Sequence, residues 1–522
     1  VRDKNNMQIW LLGSVAALVL SACGGGSGGG SSDTSASGGS TGGATGGSTG
    51  GSCVAASTQV PSAVDRVEAR ARSLTLASSG DVSPMKAREV QSPRARLVAL
   101  AEVAPAKLAA ETTSSGLRGA PRKIGFARSL PDTTLDWQTL ADGRRAASIS
   151  ISSPSAQGLR LGLLVRSLPA DATVRVYAQS ASTGFELPAS EILQALKANA
   201  AGGASGDTAN TYWLPAVLGA EATVEVSLPA GADTAKVDVA VPQLSHLFAL
   251  PDGTDAAGDT AGAGITAKIG EAGSCEIDAA CNTDYQAESN AVARIVFVQG
   301  GSAFQCTGTL LNDNLNSGTP YLITANHCIS TQASASSLQS YWFYRAPSCG
   351  AGTLNPAATL RTGGATLLYA SASTDTSFMR LNEAPPSGAV FAGWSVSAPA
   401  LAATVGTLHH PEGDLLKLST GTVKSYQNCS LSSGGTSLTC TGTAQSNSGF
   451  LDALLTSGST EEGSSGAALF QTIGTSRYVI GQLYGGSSSC SLRSGSNIYG
   501  RFDAAYNAAL KQWLAATTVP TC

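Results

Sequence analysis

Charge is scarce in this chain. Of its 522 residues only 13% are Asp, Glu, Lys or Arg, 32 basic side chains stand against 36 acidic ones, and the net charge is -4. A nucleic-acid backbone is met by a basic field, so that absence excludes nucleic acid as a partner. Histidine is scarcer still, at four residues. Two of them, His409 and His410, are adjacent and point to opposite faces of a strand, with no HExxH beside them, which speaks against a metal site. No two cysteines are spaced CxxC, so neither a zinc ribbon nor a thioredoxin-type redox motif is supported, and nothing calls for a cofactor. Long apolar runs are missing as well. The stretch "IWLLGSVAALVL" near the amino terminus is too short for a membrane span.

That stretch has the make-up of a signal-peptide core, with Arg2 and Lys4 before it and Ser21-Ala22-Cys23 after it. "LSAC" resembles the lipobox of bacterial lipoproteins, which implies a signal peptide over 1–22 and lipidation of Cys23; an ordinary signal peptide cut nearby is the alternative. Gly24 rather than Asp follows, so delivery to the outer membrane is expected in a Gram-negative host. The chain is then extracytoplasmic, lipid-anchored to the envelope or released after processing. Setting Cys23 aside leaves ten of the eleven cysteines, an even number that suits disulfides in an oxidising compartment.

Residues 23–52 are almost entirely Gly, Ser, Thr and Ala and read as a flexible tether. Residues 53–122 mix Arg/Glu pieces with Pro and Ser, and a poorly ordered or short-helical pro-region is expected. Over 123–250 short runs such as "ASISIS", "ATVRVYA" and "ATVEVSL" alternate with period two between Pro/Gly/Asp turns, which predicts a β-sandwich interrupted by one helix, "SEILQALKANA". Residues 251–268 form a second linker, in which Lys268 is a candidate processing site. From 269 to 522 strand-like runs recur among the eight cysteines from Cys275 to Cys490, and only "DAAYNAALKQWLAA" looks helical. A disulfide-stapled β domain of the packed-barrel kind, closed by a helix, is expected there. Trp213 and Trp394 are assigned to cores.

Amide hydrolysis by serine needs an activated hydroxyl, a base, a carboxylate to orient that base, and backbone N–H donors for the oxyanion. The last domain offers one candidate for each role. "EEGSSGAAL" sets Ser465 among small residues that permit a tight turn, with the Gly463 and Ser465 amides as donors. "LITANHC" puts His327 beside Cys328, and a bridge to Cys306 restrains the unfolded chain by ~3 kcal/mol in the loop-entropy picture. Asp375, in "STDTSFMRL", opens a strand-like segment; a turn-capping role is its alternative. The order His, Asp, Ser is that of chymotrypsin, whereas an esterase or lipase of the α/β-hydrolase kind needs Ser, Asp, His and a strand–turn–helix elbow.

Residues 269–522 resemble the bacterial lysyl endopeptidases of the chymotrypsin-like superfamily. The resemblance is carried by "GSCEIDAAC", "CTGTLL", "LITANHC", "FAGW", "HHP", "GSSGAALF", "GQLYGGSSSC" and "YGRF", in the family's order. It implies an all-β, chymotrypsin-like double β-barrel, a triad of His327, Asp375 and Ser465, an oxyanion hole at Gly463 and Ser465, and disulfides Cys275–Cys490, Cys281–Cys349 and Cys306–Cys328. Cys429 and Cys440 are expected to add a hairpin bridge, while Cys53 and Cys522 have no assigned partner. The upstream β region resembles the family's propeptides. The implied activity is that of a serine endopeptidase on protein or peptide substrates, acting as a monomer; the alternative is a surface binding module with an idle protease-like domain.

Three departures stand out. Ser464 takes the place of the Asp that pairs, in many chymotrypsin-like enzymes, with a newly cut amino terminus; that charge partner is lost, as in the lysyl endopeptidases themselves. Tyr484 replaces the family's histidine, and is expected to narrow a specificity pocket with Gly485 and Gly486 at its wall. Asn497 falls where the family keeps its lysine-binding acid, leaving Asp452, Glu461 and Glu462 as alternative acids.

Overall fold

The structure is a computed structural model and describes residues 64–71, 85–87, 92–113, 121–131, 133–249, 269–431 and 437–517. The expectations for the signal peptide, Cys23, the tether, Cys53, the linker with Lys268, and Cys522 lie outside these residues.

Two sheets built from the alternating runs pack face to face upstream. One runs Met85–Ala87, Thr183–Pro188, Thr173–Tyr177, Glu221–Leu228, Arg145–Ser152, Ala95–Ala99; the other runs Thr211–Trp213, Gly158–Ser167, Asp238–Leu247, Gly125–Ser129. Period-two patterning sends Val174, Val176, Val224, Val226, Ile149 and Ile151 into one core with Leu159, Leu161 and Leu163. The helix Ala189–Ala201 closes this core through Ile192 and Leu196.

Three local expectations are corrected here. The sandwich begins upstream of 123, because Ala95–Ala99 pairs in parallel with Arg145–Ser152. It gives no burial contrast to read, with Leu97 78% exposed. The pro-region also reaches the downstream domain as strands: Arg66–Val67 pairs with Trp394–Ser395, Arg70–Ala71 with Val390–Phe391, and Arg122–Lys123 with Phe304 and Gln305. Trp213 sits half-buried against Gly162 in its sheet and not in the sandwich core.

The downstream domain is a double β-barrel. Its first sheet runs Thr359–Arg361, Gln339–Trp342, Val292–Gln299, Ser302–Leu311, Tyr321–Ala325, Thr376–Leu381, Ala365–Ser371. In the second, Ser476–Gly486, Ala468–Ile473, Thr404–His409, Lys417–Leu431, Phe450–Ser457 and Asn497–Arg501 follow in order, and the last pairs back with the first to close a ring. Closure leaves those six strands no free edge. The carboxy-terminal helical stretch packs Phe502, Tyr506, Leu510 and Leu514 into a core around Trp394, whose indole N–H donates to the Asn312 carbonyl at 2.7 Å. Four disulfides staple the domain: Cys275–Cys490, Cys281–Cys349, Cys306–Cys328 and, across the hairpin, Cys429–Cys440.

The sandwich holds a histidine whose neutrality is part of its stability. His246 is fully buried, stacks on Phe126 at 4.7 Å and pairs through Nδ1 with Ser153 Oγ at 2.8 Å. Burial, aided by the Arg128 guanidinium, pushes its pKa down to about 4. An unfolded histidine titrates near 6.5, so between those values the unfolded chain binds the extra proton and stability falls as pH falls. His246→Gln is expected to remove about 1.4 kcal/mol per pH unit from that slope. Guanidinium unfolding between pH 4.5 and 7 checks this, and identical slopes for the two proteins contradict it.

Candidate active site

His327 leaves the end of Tyr321–Ala325, and the Cys306–Cys328 bridge pins the next residue to the neighbouring strand. Asp375 occupies the turn just before Thr376–Leu381, the strand paired with Tyr321–Ala325. Its backbone is in the left-handed region at φ 47, a conformation uncommon outside glycine and Asn or Asp. The turn aims the carboxylate at His327 from two sides. Oδ1 accepts the His327 backbone N–H at 2.9 Å, and Oδ2 lies 2.7 Å from Nδ1. On the far side of the ring, Nε2 is 2.8 Å from Ser465 Oγ. The three side chains sequence reasoning singled out are therefore brought together in one hydrogen-bonded line. Asp375 is buried, and that burial raises its pKa while the imidazole pulls it back down. A carboxylate on Nδ1 places the ring proton there and leaves Nε2 to accept from the serine hydroxyl.

Ser465 comes from the second barrel. The turn that presents it uses positive φ at Gly463 (90) and Gly466 (80). A Cβ at Gly466 would lie 2.0 Å from Thr324 Oγ1 and 2.6 Å from the Thr307 carbonyl, so only glycine fits. Around it the Ser464 N–H donates to the Glu461 carbonyl, Gly466 N–H to Leu483 and Ala467 N–H to Ser464. The amides of Gly463 and Ser465 donate to no group among the described residues. The turn thus leaves two N–H donors unengaged among the described residues, as an oxyanion requires.

Gln482 went unnoticed in the sequence. Its side-chain amide donates to the Thr374 carbonyl at 2.7 Å and the Asp375 carbonyl at 3.1 Å, and lies 3.1 Å from Thr376 Oγ1, gripping the Asp375 turn from the second barrel. It stands inside the quoted "GQLYGG", but nothing in residue type or spacing marks it. Tyr484 lies next to His327. Its ring lies 5.6 Å from the His327 ring and stacks on Phe450 at 5.2 Å, so it lies against the imidazole; burial and then Asp375 push its pKa up to about 12.

Asn497 is fully buried and both ends of its amide are hydrogen-bonded. Oδ1 accepts from Thr460 Oγ1 at 3.0 Å and from Ser488 Oγ, and Nδ2 donates to the Ala453 carbonyl at 3.1 Å. Gly485 and Gly486 pair with Ile498 and Asn497. Of the alternative acids, Asp452 accepts from the Asn497 N–H and Ser496 and pairs with Lys424 at 3.2 Å, while Glu461 accepts the Gly273 N–H at 3.0 Å. Glu462 is nearly buried, and its carbonyl accepts the Glu412 N–H. His409 and His410 are both buried, the first between serines and the second against the Asp414 carbonyl.

Comparison with known proteins fits this geometry. The model of the lysyl endopeptidase C-terminal domain matches residues 269–500, and that of the lysyl endopeptidase N-terminal domain matches 96–248. A lysyl endopeptidase of Pseudomonas aeruginosa is 33% identical over 385 residues, covering 70% of this chain and 75% of the relative. Secreted RxLR effector protein 73 of Plasmopara viticola is 34% identical over 110 residues, 20% of this chain and 26% of its own. Among solved structures, the MamO protease domain of Magnetospirillum magneticum superposes with a TM-score of 0.29 at 10% identity, over 43% of this chain and 98% of that one. Matched by both domain models and by a relative along three quarters of its length, the chain belongs to the lysyl endopeptidase family and is a protease.

Proposed function

We propose that the chain is a serine endopeptidase, made as a precursor and carried to the envelope on a lipidated Cys23. The observation that carries the catalytic reading is the continuous line Asp375–His327–Ser465 beside two unengaged amides. His327 takes the Ser465 proton as the hydroxyl oxygen attacks the scissile carbonyl. Asp375 stabilises the imidazolium that forms, and the Gly463 and Ser465 N–H groups stabilise the oxyanion. The proton then passes from His327 to the leaving amine, and water repeats the sequence on the acyl-enzyme. Pairing of Arg66–Val67, Arg70–Ala71 and Arg122–Lys123 with strands of the downstream domain supports a precursor, and Lys268-Ile269 is the bond proposed for processing. The disulfides support an extracytoplasmic location.

Ser465→Ala and His327→Ala are each expected to lower kcat/KM on peptide substrates by at least about a thousandfold. Their unfolding midpoints should stay close to that of the wild type. Wild-type proteolysis by either variant, in protein freed of contaminants, overturns the reading.

Specificity follows from Asn497. A lysine ammonium entering a pocket exchanges hydration for a countercharge, and a buried unpaired charge costs several kcal/mol. An amide whose oxygen already accepts two hydroxyls supplies no formal charge, so discrimination for lysine before the cut is expected to fall. Asn497→Asp should raise the ratio of cleavage after lysine to cleavage after neutral residues about tenfold or more. Cleavage-site profiling in a denatured proteome checks both proteins. A wild type that cuts almost solely after lysine, or an unchanged ratio in the variant, contradicts the argument.

A further inference from the structure

Ser464 raises a mechanical problem. Where an Asp precedes the nucleophile, an ion pair to an inserted amino terminus holds the turn; here that residue is the neutral Ser464. Yet the turn is formed, with its two amides free. Something else fixes it.

The contacts of Ser464 supply the answer. Its hydroxyl oxygen accepts the Glu461 N–H at 3.2 Å and lies 2.8 Å from His409 Nδ1. The other ring nitrogen, Nε2, is 3.0 Å from Ser419 Oγ, which donates to the Ser459 carbonyl at 2.7 Å. The donors run in one direction: Ser464 O–H to Nδ1, Nε2–H to Ser419, and Ser419 O–H to Ser459. A neutral imidazole satisfies this chain and a protonated one does not, since Nδ1 must accept. Full burial keeps His409 neutral, with its pKa pushed down to about 3.

The two ends of the chain, Ser459 and Ser464, bracket the segment that holds Gly463 and leads directly into Ser465. His409 itself ends Thr404–His409, a strand paired on both sides within the second barrel. We propose that His409 is a positioning residue for hydrolysis: by tying Ser464 to Ser419 and Ser459 it holds the Gly463 and Ser465 amides in register without an ion pair, before any cut is made. This rests on reading Ser465 as the nucleophile.

The segment after the processing bond fits the same picture. The Gly270 and Ala272 N–H groups donate to Asp414 at 3.0 and 3.2 Å, Gly273 N–H donates to Glu461, and Cys275 is bridged to Cys490. Glu276, its side chain out of solvent, brings Oε2 to 3.4 Å from Ser419 Oγ and 3.6 Å from His409 Nε2. The stretch that cleavage would free is already docked against the loop, so the turn does not wait for it.

The test compares kcat, KM and unfolding midpoint for wild type, Ser464→Ala, His409→Leu, His409→Asn and the double variant Ser464→Ala/His409→Leu. Ser464→Ala and His409→Leu are expected to lower kcat ten- to a hundredfold with KM within about threefold, a loss in the range of an impaired oxyanion donor. His409→Asn keeps an acceptor near the Nδ1 position and should recover at least a few-fold of the Leu loss. The double variant should be no slower than the worse single one, because both break the same link. A kcat within twofold of wild type in Ser464→Ala, or additive losses in the double variant, overturns the proposal. If His409→Leu does not fold, Ser464→Ala and His409→Asn decide it. Ser465→Ala, run alongside, separates the two claims: full activity there defeats the nucleophile reading, whereas an inactive Ser465→Ala with an unaffected Ser464→Ala defeats the role of His409 alone.

Discussion

A single buried carboxylate sets the terms at this site. Asp375 lies out of reach of solvent, where an ionised group is costly unless hydrogen bonds replace its hydration. The His327 backbone N–H and Nδ1 meet its two oxygens, and the turn that permits this is held in a left-handed conformation. Such a turn persists only when its surroundings over-determine it. Gln482 does much of that, because its amide reaches across from the second barrel to the carbonyls on which the turn depends. The carboxylate and imidazole belong to one barrel, while the serine and the glutamine belong to the other. Registration of the two barrels is thus a condition of the hydrogen-bonded line, not a background to it.

Polar chains, more than formal charges, do the corresponding work in the second barrel. Ser464, His409, Ser419 and Ser459 close one such chain behind the nucleophile turn, and Asn497, Thr460 and Ser488 close another in the neighbouring strands. Each is built of neutral groups whose donors and acceptors are matched. Neutral networks avoid the desolvation that burial imposes on ions, but they tolerate no missing member. The charge scarcity read from composition has its local counterpart here.

Legibility in the sequence followed residue type and local pattern. His327 stood out because histidine is rare and a cysteine follows it; Ser465 stood out through its glycine setting; Asp375 through its position before an apolar strand. These same residues lie within hydrogen-bond distance of one another. The strand Ala95–Ala99 was missed because its alternation carries an arginine and an exposed leucine, leaving no buried face to read. Residues 64–71 were missed for another reason: a two-residue strand has no period, and it forms only against a partner edge far along the chain. Gln482 and His409 lay inside stretches already noticed. Their partners come from distant strands, and no local pattern encodes such contacts. Tyr484 lies between the Phe450 ring and the imidazole, neighbours that come from distant strands.

The central claim is that the Ser465 oxygen is the nucleophile activated by His327. The most direct measurement is peptide mapping by mass spectrometry after the purified protein reacts with a fluorophosphonate. A single phosphonyl adduct on the peptide containing Ser465, abolished in His327→Ala, is the predicted result. An adduct on another residue, or undiminished labelling of Ser465 in the His327 variant, would contradict the account.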